Sequence, residues 1–307
     1  MDIVAILAYF NFSHAKTRHA ALRVALERLR QQVDIILVCH GLPLEGLPPA
    51  DNMRVIDIPS AATVWQKERF YNTALSYLAR EHARNYNYVI RADADILFSG
   101  SDWPARFRDS LQTCRLVQLF DRVEDVRIGQ NGFEPTGLVR KSMIDSWESD
   151  IGPDEYFSTK GISLRAGCSP GFAWGARTST IEAIGFPDFM ILGGGDKLLL
   201  ASGMGYADTF IQALPLNRSL SALGSRWGER VFRTIEGRVD RIENTIYHIV
   251  QGDYGDRRYA KRHHLIRDDR FIIGEYLEFN RHGAWEWYEP NNPYAHAIGG
   301  YFRERKD

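Results

Sequence analysis

The stretch RADADILF (residues 91–98) places two aspartates, Asp93 and Asp95, directly after the short apolar run Tyr88–Ile90. The apolar run predicts a buried β-strand, so the two carboxylates follow the end of a strand. In an extended segment residues i and i+2 point to the same side, and both carboxylates are therefore expected to face one space. A solvated strand end or turn is the alternative interpretation.

Apolar runs alternate with helical repeats along the first 120 residues. Five runs predict buried strands: Ile3–Tyr9, Val33–Cys39, Arg54–Ile58, Tyr88–Ile90 and Leu116–Phe120. The spacing of apolar residues predicts helices over residues 22–33 and 66–82. This alternation, with short connections, predicts an α/β fold with a mostly parallel central sheet wrapped by helices. Ligands of such sheets bind at the carboxyl ends of the strands, where Asp93 and Asp95 lie.

The second half of the chain is less regular. Residues 121–170 are polar, rich in Gly and Asp and weakly periodic, which predicts a functional loop or lid. Regular structure is expected again at Gly171–Ala176 and in a helix over Thr178–Ile184. The tail from about residue 240 is rich in Arg, His and aromatic residues.

Composition excludes several classes of protein. The 307 residues are 44% hydrophobic and 25% charged, with a net charge of -1, as in an ordinary soluble protein without the basic face that nucleic-acid binding requires. Three widely spaced cysteines predict reduced core thiols in a reducing compartment. The apolar start is too short for a transmembrane segment and lacks the positive charge of a secretory signal. We therefore expect a cytoplasmic protein, with any membrane contact peripheral and at the inner face.

Hard oxygen ligands such as Asp93 and Asp95 suit Mg²⁺ or Mn²⁺, which share their coordination with phosphate oxygens. The two carboxylates are too far apart along a strand to bind one small ion equally. One aspartate is therefore expected on the metal, and the other on a sugar hydroxyl or a metal-bound water.

Four stretches carry a resemblance to a known family. They are VWQKERFYNTAL (64–75), RADADILF (91–98), GFAWGARTSTIEAIGFPD (171–188) with LGGGDKLLL (192–200), and YHIVQGDYGDRRYAKR (247–262). Together with AYFN (8–11), and in this order, they resemble the GT-A fold glycosyltransferases, which are nucleotide-sugar transferases with a Rossmann-like half and a DxD metal motif. The likeness is greatest to uncharacterised bacterial-type members related to the galactosyl- and N-acetylgalactosaminyltransferase group.

The resemblance implies a fold and an activity. It implies a GT-A catalytic domain over residues 1–230, with a donor half over about 1–120, an acceptor half over about 121–230, and a C-terminal extension over 231–307 packed on it. The implied enzyme is a metal-dependent hexosyltransferase of polysaccharide biosynthesis. It would move a sugar from a nucleotide-diphosphate donor, with UDP-sugar favoured, to a glycan, glycolipid or other hydroxyl acceptor.

The resemblance also implies roles for residues of the donor site. Asp93 and Asp95 would bind Mn²⁺ (or Mg²⁺) and the donor diphosphate, with His248 as the third protein ligand of the metal. Similar proteins often carry a second histidine at the position of Gln251, and His263 and His264 are the alternatives if His248 is not a ligand. The other implied donor contacts are Tyr9, Asn11, Trp65, Lys67, Glu68, Asn72, Arg91 and Arg258. Arg258 belongs to a basic cluster that either clamps a diphosphate or forms a solvated helix face.

The acceptor side is implied by LGGGD and PGFAWGAR. Gly194 and Gly195 would let the backbone approach a sugar closely, and Asp196 would deprotonate the acceptor hydroxyl in an inverting reaction. Partial burial is expected to raise the pKa of Asp196. The alternative interpretation makes Asp196 the N-cap of the next helix. Trp174 would stack on the acceptor sugar or, alternatively, fill the core.

Two other functions compete with glycosyl transfer. A sugar-nucleotide pyrophosphorylase normally carries a glycine-rich basic loop after its first strand, and AYFNFSHAKTR (8–18) contains no glycine. A non-catalytic sugar-binding protein derived from a transferase would be expected to lose its carboxylates, whereas Asp93, Asp95 and Asp196 are all present.

Overall fold

The computed structural model describes residues 1–12, 15–42, 47, 51–81, 86–130, 132–149, 152–158, 167–252 and 261–304. The strands, numbered in chain order, are β1 Ile3–Phe10, β2 Asp34–His40, β3 Met53–Asp57, β4 Tyr88–Ala92, β5 Ile96–Phe98, β6 Leu116–Gln118, β7 Arg122–Gly129, β8 Gly132–Ser142, β9 Cys168–Ser169, β10 Ala173–Arg177, β11 Val239–Arg241, β12 Thr245–Ile249, β13 Leu277–Phe279 and β14 Trp285–Trp287. The α-helices are Lys16–Leu29, Lys67–Glu81, Trp103–Ser110, Met143–Ser149, Pro153–Ser158, Thr178–Ile184, Gly195–Gly203, Ala207–Ala213, Arg218–Ile235, Ile273–Tyr276 and Pro293–Glu304. A 3₁₀ helix covers Arg262–Ile266.

A seven-stranded sheet forms the centre of the molecule, in the order β11-β6-β10-β4-β1-β2-β3. The strands β4, β1, β2 and β3 are parallel, as are β11 and β6, whereas β10 runs antiparallel to both of its neighbours. The predicted α/β class with a mostly parallel central sheet is therefore confirmed. All five predicted strands are present, and their observed ends differ from the predicted ones by at most two residues.

The first strand shows why its sequence is apolar throughout. Val4 packs into the hydrophobic cluster that contains residues of the helix Lys67–Glu81. Its neighbour Ala5 packs into the opposite cluster, with residues of the helix Lys16–Leu29. Helices thus cover both faces of the sheet, and each Val, Leu or Ile side chain buried in this way contributes about 1.5–3 kcal/mol.

A second, five-stranded sheet stands beside the first, in the order β5-β12-β7-β8-β9. Its strands β7 and β8 form a hairpin, and β12 runs parallel to β7 and antiparallel to β5. The predicted loop or lid over residues 121–170 is therefore wrong for the two hairpin strands, Arg122–Gly129 and Gly132–Ser142, and for the two short helices that follow them. The first eight residues of β8 are exposed, so the strand lacks the alternation of buried and exposed residues from which a strand is predicted.

The segment after residue 230 contributes to both sheets. β11 pairs with β6 at the edge of the central sheet, and β12 lies between β5 and β7 in the second. The hairpin of β13 and β14 then packs back on the chain before the helix Lys67–Glu81, where the Gln66 side chain donates to the Trp285 carbonyl over 2.9 Å. The division of the chain at residue 230 stays a prediction.

The cysteines are free thiols, with Cys39 and Cys168 buried. Burial raises the pKa of Cys39 to about 12, so this thiol is protonated at neutral pH. Among the helices of the described ranges, none has the length and apolar character needed to cross a bilayer.

Candidate functional site

Asp93 and Asp95 lie at the junction of the two sheets. Asp93 follows β4 of the central sheet, and Asp95 precedes β5 of the second sheet. The Asp93 backbone N–H donates to the Phe172 carbonyl over 2.8 Å, and the Ile249 N–H donates to the Asp95 carbonyl over 2.8 Å. Backbone hydrogen bonds therefore fix both aspartates, and the two residues line the same cleft.

This cleft lies at the carboxyl ends of β1 and β4, as expected for a parallel sheet. Its walls combine aromatic, cationic and acidic side chains: Ala8, Tyr9, Phe10, Arg18, Trp65, Lys67, Asp93, Ala94, Asp95, Phe172, His248 and Gln251. Six of these were predicted as donor or metal residues: Tyr9, Trp65, Lys67, Asp93, Asp95 and His248.

Lys67 connects Asp93 to Asp196. Its Nζ donates to Asp93 Oδ1 over 3.0 Å and to Asp196 Oδ2 over 2.8 Å. The other Asp196 oxygen, Oδ1, is ion-paired with the buried Arg91 guanidinium. Arg91 therefore lies behind the cleft and contacts Asp196. The four groups form a row in which carboxylates and cations alternate, in the order Asp93, Lys67, Asp196, Arg91. Each charge thus has an opposite charge beside it, which offsets the cost of burying it.

The pKa values of the two aspartates move in opposite directions. Burial raises the pKa of Asp93, and the negative charges of Asp196 and Asp95 add to this shift against the opposing effect of Lys67. Burial also acts to raise the pKa of Asp196, but Arg91 and Lys67 together hold that pKa below its ordinary value. The expectation of a raised pKa at Asp196 is therefore wrong. A carboxylate stabilised as an anion by two cations is a weak base.

Glu68 is buried beside this row of charges. Burial raises its pKa to about 7, with the Asp196 charge adding to the shift and Lys67 opposing it. A Cβ at Gly195 would lie 2.3 Å from Glu68 Oε1, so the space above Gly195 is occupied by this carboxyl group. Glu68 is not among the residues that line the cleft, and its predicted contact with a donor stays a prediction.

His248 lies on β12 and joins Asp95 to a second buried acid, Asp125. Its Nδ1 donates to Asp125 Oδ1 over 2.9 Å, and its Nε2 lies 3.8 Å from Asp95 Oδ2. Asp125 is 1% exposed and is ion-paired with Arg140 on β8. The hydrogen bond at Nδ1 places the lone pair of a neutral ring on Nε2, the atom that faces Asp95.

No three His, Cys, Asp or Glu side chains in the described part of the chain are grouped as a ready-made metal site. The donor atoms at Asp95 nevertheless fit an ion that completes its coordination with phosphate oxygens, as Mg²⁺ does. Asp95 offers a carboxylate and His248 an imidazole Nε2, and both line the same cleft. The buried Asp125 orients the ring from behind, as carboxylates do behind metal-bound histidines.

The predicted donor contacts divide into two groups. Tyr9 and Trp65 line the cleft. The Asn11 side chain instead accepts from the Ala15 N–H over 3.1 Å and donates to the Ala15 carbonyl over 3.0 Å, at the start of a helix. Asn72 donates to the Phe186 carbonyl and accepts from the Phe186 N–H. Asn11 and Asn72 therefore hold backbone segments in place.

The predicted acceptor residues also separate. Trp174 is 1% exposed, and its indole N–H donates to the Pro170 carbonyl over 2.8 Å. The prediction that its ring stacks on a sugar is wrong, because the ring fills the core. Gly194, with φ of 108°, is the N-cap of the helix Gly195–Gly203. Asp196 lies in the first turn of that helix, so it is not the N-cap.

Only part of the predicted basic cluster lies within the described residues. Arg258, predicted to contact the diphosphate, lies outside the described residues. Arg262 is buried, and its guanidinium packs against the Gly193 turn, where an added Cβ would lie 3.1 Å from Nη1. Neither His263 nor His264, the alternative metal ligands, is among the residues that line the cleft.

Sequence reasoning missed Arg18, Phe172, Asp125 and Arg140. Arg18 and Phe172 line the cleft, and the other two hold His248. Asp125 and Arg140 are not among the predicted residues because the polar, weakly periodic sequence around them predicts a loop. The apolar residues Val123 and Val126, which flank Asp125 and are buried, were the available sign of a strand.

No protein-family model and no curated protein matches this sequence. The solved structures that align with it include the following three. TarS 1-349 of S. aureus in complex with UDP-GlcNAc is 10% identical, with a TM-score of 0.42, over 82% of this chain and 60% of that one. The mannosyltransferase PcManGT from Pyrobaculum calidifontis, with GDP-Man and Mn²⁺, is 13% identical, with a TM-score of 0.44, over 98% and 69%. Glucosyl-3-phosphoglycerate synthase from Mycobacterium tuberculosis, with Mn²⁺, UDP-glucose and phosphoglyceric acid, is 12% identical, with a TM-score of 0.38, over 81% and 72%.

This chain thus spans less than two thirds of the TarS chain. Identities of 10–13% and TM-scores below 0.5 do not identify a family.

Proposed function

We propose that this chain is a metal-dependent glycosyltransferase of the GT-A type, which moves a sugar from a nucleotide-diphosphate donor to a hydroxyl acceptor. The observation that supports it most is the convergence of Asp93, Asp95 and His248 on one cleft at the carboxyl ends of parallel strands. Arg18 and Lys67 line the same cleft and complement the charge of a diphosphate.

Asp95 and His248 would hold a divalent cation, Mn²⁺ or Mg²⁺, together with the donor's phosphate oxygens. Such a cation, when bound, neutralises the negative charge that develops on the departing diphosphate. Asp125 keeps the His248 ring in the tautomer and orientation that this requires.

The central sheet would supply the rest of the donor site. Lys67 presents a fixed ammonium group beside Asp93, because two carboxylates hold its Nζ. Tyr9 and Trp65 offer aromatic surfaces for a nucleotide base, and a UDP-sugar is the first donor to test. A glycan or glycolipid is the proposed acceptor, and the cytoplasmic location stays a prediction.

Asp196 has two candidate roles in this reaction. As the base of an inverting transfer, Asp196 would take the proton of an acceptor hydroxyl. Its ion pairs with Lys67 and Arg91 oppose that role, since they stabilise the carboxylate anion. They support a second role, in which Asp196 anchors the two cations of the donor site.

A donor panel tests the proposed function. Purified protein is incubated with UDP-, GDP- and CDP-sugars and Mn²⁺, and release of the nucleoside diphosphate is followed with and without EDTA. We expect slow hydrolysis of one donor class, abolished by EDTA and by Asp95→Ala. Cleavage that requires pyrophosphate would instead indicate a pyrophosphorylase. Binding of a donor without turnover would indicate a sugar-binding protein.

Asp196→Asn separates the two roles of Asp196. If Asp196 is the base, this variant keeps Mn²⁺-dependent donor hydrolysis and loses transfer to an acceptor. If Asp196 is an anchor, hydrolysis and transfer fall together, because Lys67 loses one of its two carboxylate partners. Unchanged transfer would contradict both roles.

A further inference from the structure

Gln251 occupies a position beside Asp95 that donor binding has not explained. It lies two residues after β12, lines the cleft and is 6% exposed. Its Nε2 approaches Asp95 Oδ2 at 3.5 Å, the outer limit of a hydrogen bond. Its Oε1 is buried and, among the described residues, accepts no hydrogen bond.

A buried amide oxygen without a donor is unfavourable, and such a group in a cleft calls for a ligand. The two ends of a glutamine amide have nearly the same shape, so a half-turn about the last bond exchanges oxygen and nitrogen. That half-turn would bring Oε1 towards Asp95 Oδ2, where two oxygens repel each other unless a cation lies between them.

We infer that Gln251 supplies its side-chain oxygen as a third protein ligand to the divalent cation that Asp95 and His248 hold. This inference rests on the proposed function and deepens it. The set consists of one carboxylate, one imidazole and one amide oxygen. Metal sites in proteins are usually made of His, Cys, Asp and Glu side chains. Asp95 and His248 supply only two such ligands, and the third ligand of this set is an amide.

This ligand set favours particular metals. Two of its three protein ligands are oxygens, and it carries a single full negative charge. Oxygen ligands suit Mg²⁺ and Mn²⁺, whereas imidazole-rich sets favour Zn²⁺ and the later transition metals. Gln251 therefore directs the site towards Mg²⁺ and Mn²⁺. A histidine at this position would raise the affinity for Zn²⁺ relative to that for Mn²⁺.

Metal binding by the full chain, with UDP as the added nucleotide, tests the inference without any turnover. Isothermal titration with Mn²⁺ and Zn²⁺ compares the natural chain with Gln251→Leu, Gln251→His and Asp95→Ala. We expect Gln251→Leu to bind Mn²⁺ at least about tenfold more weakly. Gln251→His should gain affinity for Zn²⁺ relative to Mn²⁺ by about the same factor or more.

A thermal unfolding series supplies the control for folding. Without metal, Gln251→Leu should be as stable as the natural chain or more so, because the variant removes the unpaired oxygen. With Mn²⁺ and UDP, the rise in Tm should be smaller for Gln251→Leu than for the natural chain.

The outcomes distinguish the two proposals. Equal Mn²⁺ affinity in the natural chain and Gln251→Leu, with binding lost in Asp95→Ala, would overturn the role of Gln251 and leave the proposed function standing. Absence of Mn²⁺ binding in the natural chain, with and without UDP, would overturn both.

Discussion

The two sides of the cleft are built from similar parts and neutralise their charge differently. On the side of the central sheet, the Lys67 ammonium lies 3.0 Å from Asp93 and 2.8 Å from Asp196. On the side of the second sheet, the His248 imidazole occupies the corresponding place, 2.9 Å from Asp125 and 3.8 Å from Asp95. A lysine neutralises its partners permanently, whereas a neutral imidazole can itself be a metal ligand.

The difference indicates which aspartate receives the metal. Asp93 already has a cation as its partner, while Asp95 has no lysine or arginine within ion-pair distance in the described part of the chain. The first side is therefore expected to contribute to stability and to placement of the diphosphate. The second side is expected to bind the ion.

The largest effect should come from Asp95→Asn. Loss of the charged ligand should lower Mn²⁺-dependent donor hydrolysis by about 100- to 1,000-fold, because a metal ion contributes several kcal/mol to stabilising the leaving group. Initial rates over a range of Mn²⁺ concentrations measure it. The matched variant Asp93→Asn should retain more Mn²⁺ binding. Equal loss in both variants would remove the distinction between the two sides.

Lys67→Met tests the stabilising role of the central-sheet side. It leaves Asp93 and Asp196 without their shared cation, and we expect the free energy of unfolding to fall by about 3–5 kcal/mol. Urea denaturation at pH 7 measures the change. Arg233→Met is the control, since its ion pair with Glu229 is exposed and should contribute at most about 1 kcal/mol. Similar losses in the two variants would show that Lys67 is not a buried structural cation.

Asp125→Asn tests the orientation of His248. Loss of the carboxylate behind the ring should weaken Mn²⁺ binding about 10- to 100-fold, because the ring is then free to turn. Titration calorimetry measures the affinity. The variant also leaves Arg140 buried without its partner carboxylate, so the double variant Asp125→Asn/Arg140→Met serves as the control. If the double variant regains stability and still binds Mn²⁺ weakly, the weak binding is due to the free rotation of the His248 ring. Full recovery of Mn²⁺ binding in the double variant would contradict the proposed role of Asp125.

The smallest effect concerns pH. Because the pKa of Glu68 is raised to about 7 from 4.5, the folded state holds this proton more tightly than the unfolded chain does. The stability from the protonated Glu68 is fully present below the unfolded pKa of 4.5 and is lost as pH rises towards 7. Glu68→Gln should therefore remove a decline on the order of 1–2 kcal/mol over this range.

Urea denaturation at pH 5, 6 and 7 in constant salt measures this decline. A pH dependence unchanged by Glu68→Gln would assign the titration to another group. The pKa of Asp93 is also raised, so some decline should remain in the variant.

The sequence predicts the central sheet well because most of its strands, such as β1, β2 and β4, are buried on both faces. The apolar run of β1 and the position of Asp93 and Asp95 after β4 are local features of the chain. The partners of these aspartates are not local. Lys67, Arg91 and Asp196 come from three separate segments of the chain. The sequence pattern alone does not predict which carboxylate each cation contacts.

The second sheet was missed for a different reason. The first eight residues of β8 are exposed, so most of this strand has no buried face and lacks the apolar alternation that predicts a strand. Asp125 and Arg140 are buried, in contrast to the exposed residues 132–139 of the same hairpin of β7 and β8. Their pairing with each other and with His248 requires the hairpin register, which follows from tertiary structure.

The exposed strand β8 also has a consequence for solubility. Its described pairing with β9 is confined to Lys141 and Ser142. On that side, the stretch from Gly132 to Val139 therefore resembles an unpaired sheet edge. Such edges can recruit strands from other molecules and begin aggregation. Pro135 lacks an N–H to offer, and Gly137, with φ of 84°, departs from extended backbone. These two residues interrupt the unpaired edge and should keep concentrated protein from assembling edge to edge.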